Sequence, residues 1–331
     1  MAQILIIGRI HERGLDVLRA RTDVRFELLA TASEPEILRL VPSADAIIVR
    51  TAKLSGAAID AAPHLKVVSR HGVGYDNVDL AALDRRGIPL ALVGNVNAVP
   101  VAEHALFMML ALAKEAVAFD RATRDGNWTR RDGFTATELQ GKTLLLLGFG
   151  RVGREVARRA QAFGVTVAAY DPFVRAEAML AARVQPVAKL ADALGIADFI
   201  SVHLPLSAET KGLIGARELT AMKPTAVVIS TARGGIVDEA ALAEALANRR
   251  IRAAGLDVFE DEPPTADSPL LKLDNLLLSP HIAGLTEECA IRMAEVSARN
   301  ALAGLDGTLD ADLIVNKHVL RQEQSPRRRR R

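Results

Sequence analysis

The sequence holds one cysteine, Cys289, in 331 residues, so no internal disulfide can form. That fits a reducing compartment, and a cytoplasmic location is expected. Cys289 stands beside Ala290 and Ile291 in a predicted helix and reads as packing, not as a nucleophile. Long apolar runs are also missing. The longest uncharged one, Ala105 to Ala113, covers nine residues, too few to span a bilayer. The N-terminal Met-Ala-Gln-Ile-Leu-Ile-Ile-Gly has no basic segment before its short apolar stretch, so no signal peptide is expected. Excess charge of one sign is absent as well. The net charge is +2, and Arg327–Arg331 supply +5 of it, which leaves 2 − 5 = −3 for the rest. With no basic patch outside that tail, neither a nucleic-acid nor a membrane partner is expected. No metal is expected either. Residues 318–331 read as a disordered basic tail.

What is present is strand–helix alternation. Ile4–Ile7, Ala46–Val49, Val67–Ser69 and Leu90–Val93 read as buried strands, with helices at 14–21, 34–41, 55–62 and 80–86 between or beside them. A second series runs Thr143–Leu147, Thr166–Tyr170, Phe199–Val202, Ala226–Ser230, Ala253–Asp257 and Leu276–Leu278. The pattern predicts an α/β protein with two doubly wound parallel sheets. Between the series, Asn97 and Pro100 mark the start of a helix expected to run to about Arg121. Its middle is apolar on every side, so burial all round is expected, between domains or between subunits. A polar loop around the single tryptophan, Trp128, follows it. A last helix from about Glu287 to Gly304 is followed by too little chain for a domain and must return to the first unit. The expected division is 1–98 with 286–317, and 99–285.

The most informative stretch is Leu144–Leu147 followed by Gly148-Phe-Gly150-Arg-Val-Gly153, with Asp171 18 positions later at the end of the next strand. Strand, glycine turn, helix, strand and carboxylate make a dinucleotide-binding fingerprint. Gly148 permits the tight turn, Gly150 lets a pyrophosphate approach the backbone, and Gly153 lets the helix pack on the strand. The helix N-terminus then faces the phosphates. Asp171 suits ribose hydroxyls and repels a 2′-phosphate, so the expected cofactor is NAD and not NADP.

Three further segments lie at strand ends of the second series. They are Ser230-Thr-Ala-Arg233-Gly-Gly-Ile-Val-Asp-Glu239, Gly255-Leu-Asp257-Val-Phe-Glu-Asp-Glu262-Pro-Pro264 and Ser279-Pro-His281-Ile-Ala-Gly284. An arginine binds a carboxylate through its planar fork. A histidine exchanges protons near neutrality. A carboxylate fixes the histidine's tautomer. Together they suit oxidation of a hydroxy acid.

With these motifs the chain resembles the D-isomer-specific 2-hydroxyacid dehydrogenases over roughly residues 45 to 316. Within that family, RHGVGYDNVD at 70–79, AEHAL at 102–106 and DGNWTR at 125–130 resemble the short-form phosphoglycerate dehydrogenases most. The resemblance implies a flavodoxin-like substrate domain and a Rossmann NAD-binding domain. It implies that Arg233 binds the substrate carboxylate and carbonyl, and that His281 is the acid/base with Glu262, the glutamate directly before proline, as its partner. Backbone N–H groups of Gly72, Val73 and Gly74 would hold the carboxylate. Arg151 and Val152 would cover the pyrophosphate, and Leu204 and Pro205 would line the adenosine side. Thr231, Ala232, Arg233 and His281 would border the cofactor, and Asp257 and Gly284 would lie at its nicotinamide end. A homodimer through Val101–Phe119 and Trp128 is implied too. Long family members carry a regulatory domain after the region matched here, so serine feedback through such a domain is not expected. Arg50 and Arg70, with Arg130 or Arg131 of a second copy, either bind a substrate phosphate or are surface charges. With a phosphate site the substrate is 3-phosphoglycerate-like; without one, glyoxylate, hydroxypyruvate or another small 2-oxo acid. A different class, an NAD-sensing corepressor scaffold, is favoured only by the basic tail, and the intact Arg, Glu and His set leans against it.

Overall fold

The structure is a computed structural model and describes residues 1–323. The chain forms two compact units, Met1–Asn97 with the segment from Thr286 onward, and Ala98–Leu285.

The first unit runs β1 (Ala2–Ile7), α1 (Glu12–Arg19), β2 (Val24–Leu29), α2 (Glu34–Leu40), β3 (Ala46–Val49), α3 (Gly56–Asp60), β4 (Val67–Arg70), α4 (Leu80–Arg86) and β5 (Leu90–Ala91). Its sheet is five-stranded and parallel, in the order β2-β1-β3-β4-β5. That is the flavodoxin-like order, with a switch point between β1 and β3. Ile4 and Ile6 pack on one side of β1 and Leu5 and Ile7 on the other, so the strand is apolar from Ile4 onward. The strand β2 went unread in the sequence. It lies at the sheet edge, where Arg25 and Glu27 interrupt the apolar pattern.

The second unit runs α5 (Ala98–Ala113), α6 (Ala116–Arg124), β6 (Thr143–Leu147), α7 (Arg151–Ala162), β7 (Thr166–Tyr170), α8 (Ala176–Ala181), β8 (Gln185–Pro186), α9 (Leu190–Leu194), β9 (Phe199–Val202), α10 (Ala216–Ala221), β10 (Val227–Ser230), α11 (Glu239–Ala247), β11 (Ala253–Leu256) and β12 (Leu276–Leu278). Its seven strands take the order β12-β11-β10-β9-β6-β7-β8, which is the dinucleotide-binding order with one added edge strand. The two-residue strand β8 is polar and exposed, which hid it from a hydrophobicity reading. Leu145 and Leu147 enter one core and Leu144 and Leu146 the other. Each is fully buried, and truncation of such a leucine to alanine costs about 2–5 kcal/mol.

The remaining elements return to the first unit: α12 (Glu287–Asp306) and α13 (His318–Glu323). Ala298, Ala301 and Leu302 of α12 pack against Ile4 and Ile6 of β1. A Cβ on Gly304 would lie 2.5 Å from the Val67 side chain, so only glycine lets α12 settle on β4 there.

Two expectations need correction. The helix expected to reach Arg121 breaks after Ala113. Glu115 takes a left-handed conformation, φ 49°, its carboxylate receives Thr135 Oγ1 and Arg252, and the Ala113 carbonyl accepts the Thr137 N–H. On α5 of the single chain, Phe107 is 53% exposed. Nor does disorder start at 318 as expected, because His318–Glu323 are helical. There Val319 is buried and the His318 imidazole lies 3.2 Å from Asp84. The arginine run lies outside the described residues.

Candidate active site

The glycine turn follows β6 directly. Gly148 has φ +100°, and a Cβ there would lie 2.7 Å from the His203 carbonyl, so side chains are excluded twice over. A Cβ on Gly153 would lie 2.2 Å from the Gly148 carbonyl, which ties the first turn of α7 to the strand end. Gly150 differs: a Cβ there would meet no protein atom within 4 Å. Its lack of a side chain leaves room for a ligand and relieves no crowding inside the protein. As N-cap of the 12-residue α7, Gly150 supplies no capping side chain, and the first turn holds no acidic residue. The free N–H groups and positive end of the helix are therefore open to an anion. Asp171 follows β7 directly, and its two oxygens accept the N–H groups of Phe149 (2.8 Å) and Phe173 (2.9 Å). The carboxylate thus braces the glycine turn from the side. These features fit a dinucleotide.

The three motif segments leave the sheet at neighbouring strand ends. Arg233 follows β10, and its Nη1 donates to the Ala232 carbonyl at 2.7 Å. A Cβ on Gly234 would lie 1.9 Å from the Phe259 carbonyl, so this loop and the one after β11 touch backbone to backbone. In the second loop, Glu262 Oε1 accepts the Phe259 N–H at 3.1 Å, and Oε2 lies 2.8 Å from His281 Nδ1. Both side chains are substantially exposed. Glu239 sits near Glu260, Asp261 and Glu262, and burial together with these like charges raises its carboxyl above the usual range.

His281 has a backbone that departs from expectation. It follows β12 and has φ +53°, a left-handed conformation uncommon outside glycine. Its N–H reaches the Asp257 carbonyl at 2.8 Å and the Ser279 carbonyl at 3.1 Å. Asp257 is wholly buried and its carboxylate accepts Ser279 Oγ (2.5 Å), Ile282 N–H (2.9 Å) and Ala283 N–H (2.9 Å). The segment carrying His281 is wrapped around one carboxylate.

Comparison with known proteins decides the family. Residues 106–283 match the NAD-binding domain of the D-isomer specific 2-hydroxyacid dehydrogenases. A D-3-phosphoglycerate dehydrogenase of Archaeoglobus fulgidus is 42% identical over 303 residues, covering 90% of this chain and 56% of that protein. A glyoxylate reductase of Korarchaeum cryptofilum is 36% identical over 330 residues, covering 96% of this chain and 97% of its own length. Among solved structures, an NADPH-dependent glyoxylate/hydroxypyruvate reductase of Sinorhizobium meliloti superposes with a TM-score of 0.84 at 31% identity, over 96% of this chain and 98% of that one. The chain belongs to the D-isomer specific 2-hydroxyacid dehydrogenase family. It spans little more than half the length of the phosphoglycerate dehydrogenases that it matches.

In the second unit the glycine turn, Asp171, Arg233, Glu262 and His281 all follow the carboxyl ends of strands of one parallel sheet. Leu204 is buried and Pro205 exposed just after β9, and Thr231 is buried with its hydroxyl unpartnered. The sequence-based expectation gave Asp257 a cofactor contact. The structure adds that three protein donors already occupy its carboxylate. Two participants were missed: His104, whose Nε2 lies 2.9 Å from Ser279 Oγ, and Ser279 itself. The signal was His104, the one histidine of α5, set beside Glu103 in a helix otherwise without polar side chains.

The expected substrate arginines and the glycine loop belong to the first unit. Arg50 follows β3 and donates to the Arg9 carbonyl at 3.0 Å. Arg70 ends β4, where its Nε meets Asn77 Oδ1 at 3.2 Å and its Nη1 the His71 carbonyl. Gly72 (φ +145°) opens the loop that continues through Val73 and Gly74, and a Cβ on Gly72 would strike the Arg70 guanidinium. His71 beside them is buried, with neither ring nitrogen partnered. Burial, aided by the Arg50 charge, pushes its imidazole down to about 4. Arg130 and Arg131 find partners within the chain, Arg130 with Glu115 and the Phe119 ring, Arg131 with Asp132 and the Trp128 ring. Cys289 is buried against the Val96 carbonyl and its thiol is pushed up by burial, as befits packing. Among the described residues, no helix is long and apolar enough to cross a membrane, and no cluster of three or more His, Cys, Asp or Glu could hold a metal.

Proposed function

We propose that the protein is an NAD-dependent D-2-hydroxyacid dehydrogenase that interconverts a 2-hydroxy acid and its 2-oxo acid, with 3-phosphoglycerate the first substrate to try. The observation that carries this reading is the His281–Glu262 pair at 2.8 Å, two strands from Arg233 in the sheet that also bears the open glycine turn. Adjacent strands lie ~4.8 Å apart, so β10 and β12 end about 10 Å from each other, a gap that the long Arg233 and His281 side chains would close on a small 2-oxo acid.

The nicotinamide, when bound, supplies or accepts the hydride. Arg233 holds the substrate carboxylate and 2-oxo oxygen through its guanidinium. Glu262 accepts a hydrogen bond from His281 Nδ1–H, which leaves Nε2 of the imidazolium to give a proton to the 2-oxo oxygen in reduction and to take it back in oxidation. Phe259 N–H fixes the other glutamate oxygen, so the pair is oriented before substrate arrives. The first unit serves as the substrate-binding unit through backbone N–H groups at Gly72, Val73 and Gly74, with Arg50 and Arg70 as the phosphate ligands. Asp171 disfavours a 2′-phosphate, so NADH is preferred to NADPH.

A second reading, reduction of glyoxylate or hydroxypyruvate, is favoured by the similarity to a glyoxylate reductase along nearly its whole length. The protein acts as a cytoplasmic homodimer in either case. Leu106, Phe107, Leu110, Ala111, Ala116 and Phe163 form an apolar groove, and Trp128 is 64% exposed, surfaces that a second copy would cover. A panel of 2-oxo acids with NADH and NADPH, each with and without a phosphate group, tests the reading. Turnover of phosphohydroxypyruvate well above glyoxylate supports the first substrate. The reverse supports the second, and no turnover of any acid removes both.

A further inference from the structure

We infer that His104 is a positioning residue for proton transfer: through Ser279 and Asp257 it holds the segment that carries His281. This rests on the catalytic reading of His281 above. The path is continuous within the second unit. His104 Nε2 lies 2.9 Å from Ser279 Oγ, Ser279 Oγ lies 2.5 Å from Asp257 Oδ1, and the Asp257 carboxylate accepts the N–H groups of Ile282 and Ala283 at 2.9 Å each. The direction of each bond follows from chemistry. A buried carboxylate only accepts, so the Ser279 hydroxyl donates to it, and the same oxygen can then accept only from a protonated His104 Nε2. The Ser279–Asp257 distance is that of a charge-assisted O–H···O⁻ bond.

His281 explains why such a brace is needed. Its left-handed backbone is unfavourable for a residue with a Cβ and persists only where the surroundings over-determine it. Two groups of bonds do so here. The His281 N–H is held by the Asp257 and Ser279 carbonyls, and the next two N–H groups by the Asp257 carboxylate. Without the His104 N–H, the Ser279 hydroxyl loses the donor that fixes its rotamer, and Asp257 loses its shortest bond. The segment can then relax out of the left-handed conformation and carry the imidazole away from Glu262. The His104 ring has the surroundings this role requires. It is only 15% exposed, and burial lowers its imidazole despite Asp257 nearby, which keeps the ring neutral with Nε2 as a single directed donor. The ring also rests against Phe107, with centroids 5.5 Å apart.

The test uses the full chain and four variants: His104→Ala, His104→Gln, Ser279→Ala and the His104→Ala/Ser279→Ala double. With the best 2-oxo acid and NADH, His104→Ala should lower kcat about 10- to 100-fold, the scale expected when a reacting group is displaced by about 1 Å. KM for the acid should stay within about twofold, because ground-state binding is untouched. His104→Gln, whose amide nitrogen donates from the same place, should recover most of kcat, which a purely space-filling role would not give. Ser279→Ala, which leaves α5 intact, should reproduce the kcat loss, and the double variant should be no worse than either single one. Hydrogen exchange at Ile282 and Ala283 should quicken at least about tenfold in His104→Ala. Unchanged kcat, a loss confined to KM, or additive losses would overturn the inference. Should the wild type turn over no 2-oxo acid, the exchange measurement still decides. Faster exchange upholds the brace while the proposed function falls, and unchanged exchange overturns the brace.

Discussion

The two units begin alike and then diverge at one place. In each, an apolar first strand ends in a glycine of positive φ, Gly8 at +96° after β1 and Gly148 at +100° after β6. In the first unit the helix that follows closes its own end. His11 caps α1 by accepting the Arg13 N–H, Glu12 stands in the first turn, and Arg50 takes the Arg9 carbonyl. In the second unit α7 begins at once, with a glycine for a cap and no acidic residue near. Two sheets of related build thus differ in whether a helix N-terminus is already satisfied. The positive end left bare is the one that offers an anion a place.

If the chemistry belongs to the second sheet alone, His281→Asn should lower kcat ~10²–10⁴-fold, the usual loss for a positioned acid/base. NADH affinity, measured by fluorescence titration, should hardly change. Near-normal turnover would make His281 structural. The next effect is one of pH, and both units contribute, because burial also pushes the His203 imidazole of the second unit down to about 4. His71 in the first unit titrates near 4 when folded and near 6.5 when unfolded, so between those values the unfolded chain binds more protons. Stability should therefore be full above pH 6.5 and fall as pH drops toward 4, by on the order of 3 kcal/mol. His71→Gln should flatten that slope in urea unfolding followed from pH 7 to 4.5. An identical slope in the variant would refute the assignment.

The comparison can also be broken on purpose. Gly150→Asp copies the closed helix end of the first unit onto the second, and the space there admits the side chain without a clash. Stability should hold or rise, while NADH affinity should fall about 100-fold through the added negative charge. Retained affinity would mean that α7 does not receive the pyrophosphate. The smallest effect is the converse: His11→Ala should cost about 1 kcal/mol of stability by uncapping α1 and leave NADH binding unaltered.

Much of this was legible in the sequence because the signals were local. Strands buried on both faces read as apolar runs, and the glycine spacing with Asp171 stands within 24 consecutive residues. What escaped had other causes. Edge strands need not be apolar, so β2 and β8 left no trace. The break at Glu115 depends on Thr137 and Arg252, which reach it from far along the chain. His104 and Ser279 are 175 positions apart, and only the packing of α5 brings them together. Arg233, Glu262 and His281 were visible because each stands in a motif at a strand end. The left-handed backbone of His281 was not, since Pro280 and Ile282 beside it give no sign of it.

The short strand β8 has a consequence for how this protein behaves at high concentration. An open sheet edge is a row of unpaired N–H and C=O groups, a template on which another chain can add a strand. Here the edge stops after two residues, and one of them, Pro186, has no N–H to offer. At the edge of the other sheet, β2 turns the charged Arg25 and Glu27 outward. These two of the four sheet edges resist aggregation by strand addition, so at β8 and β2 self-association is steered away from backbone pairing.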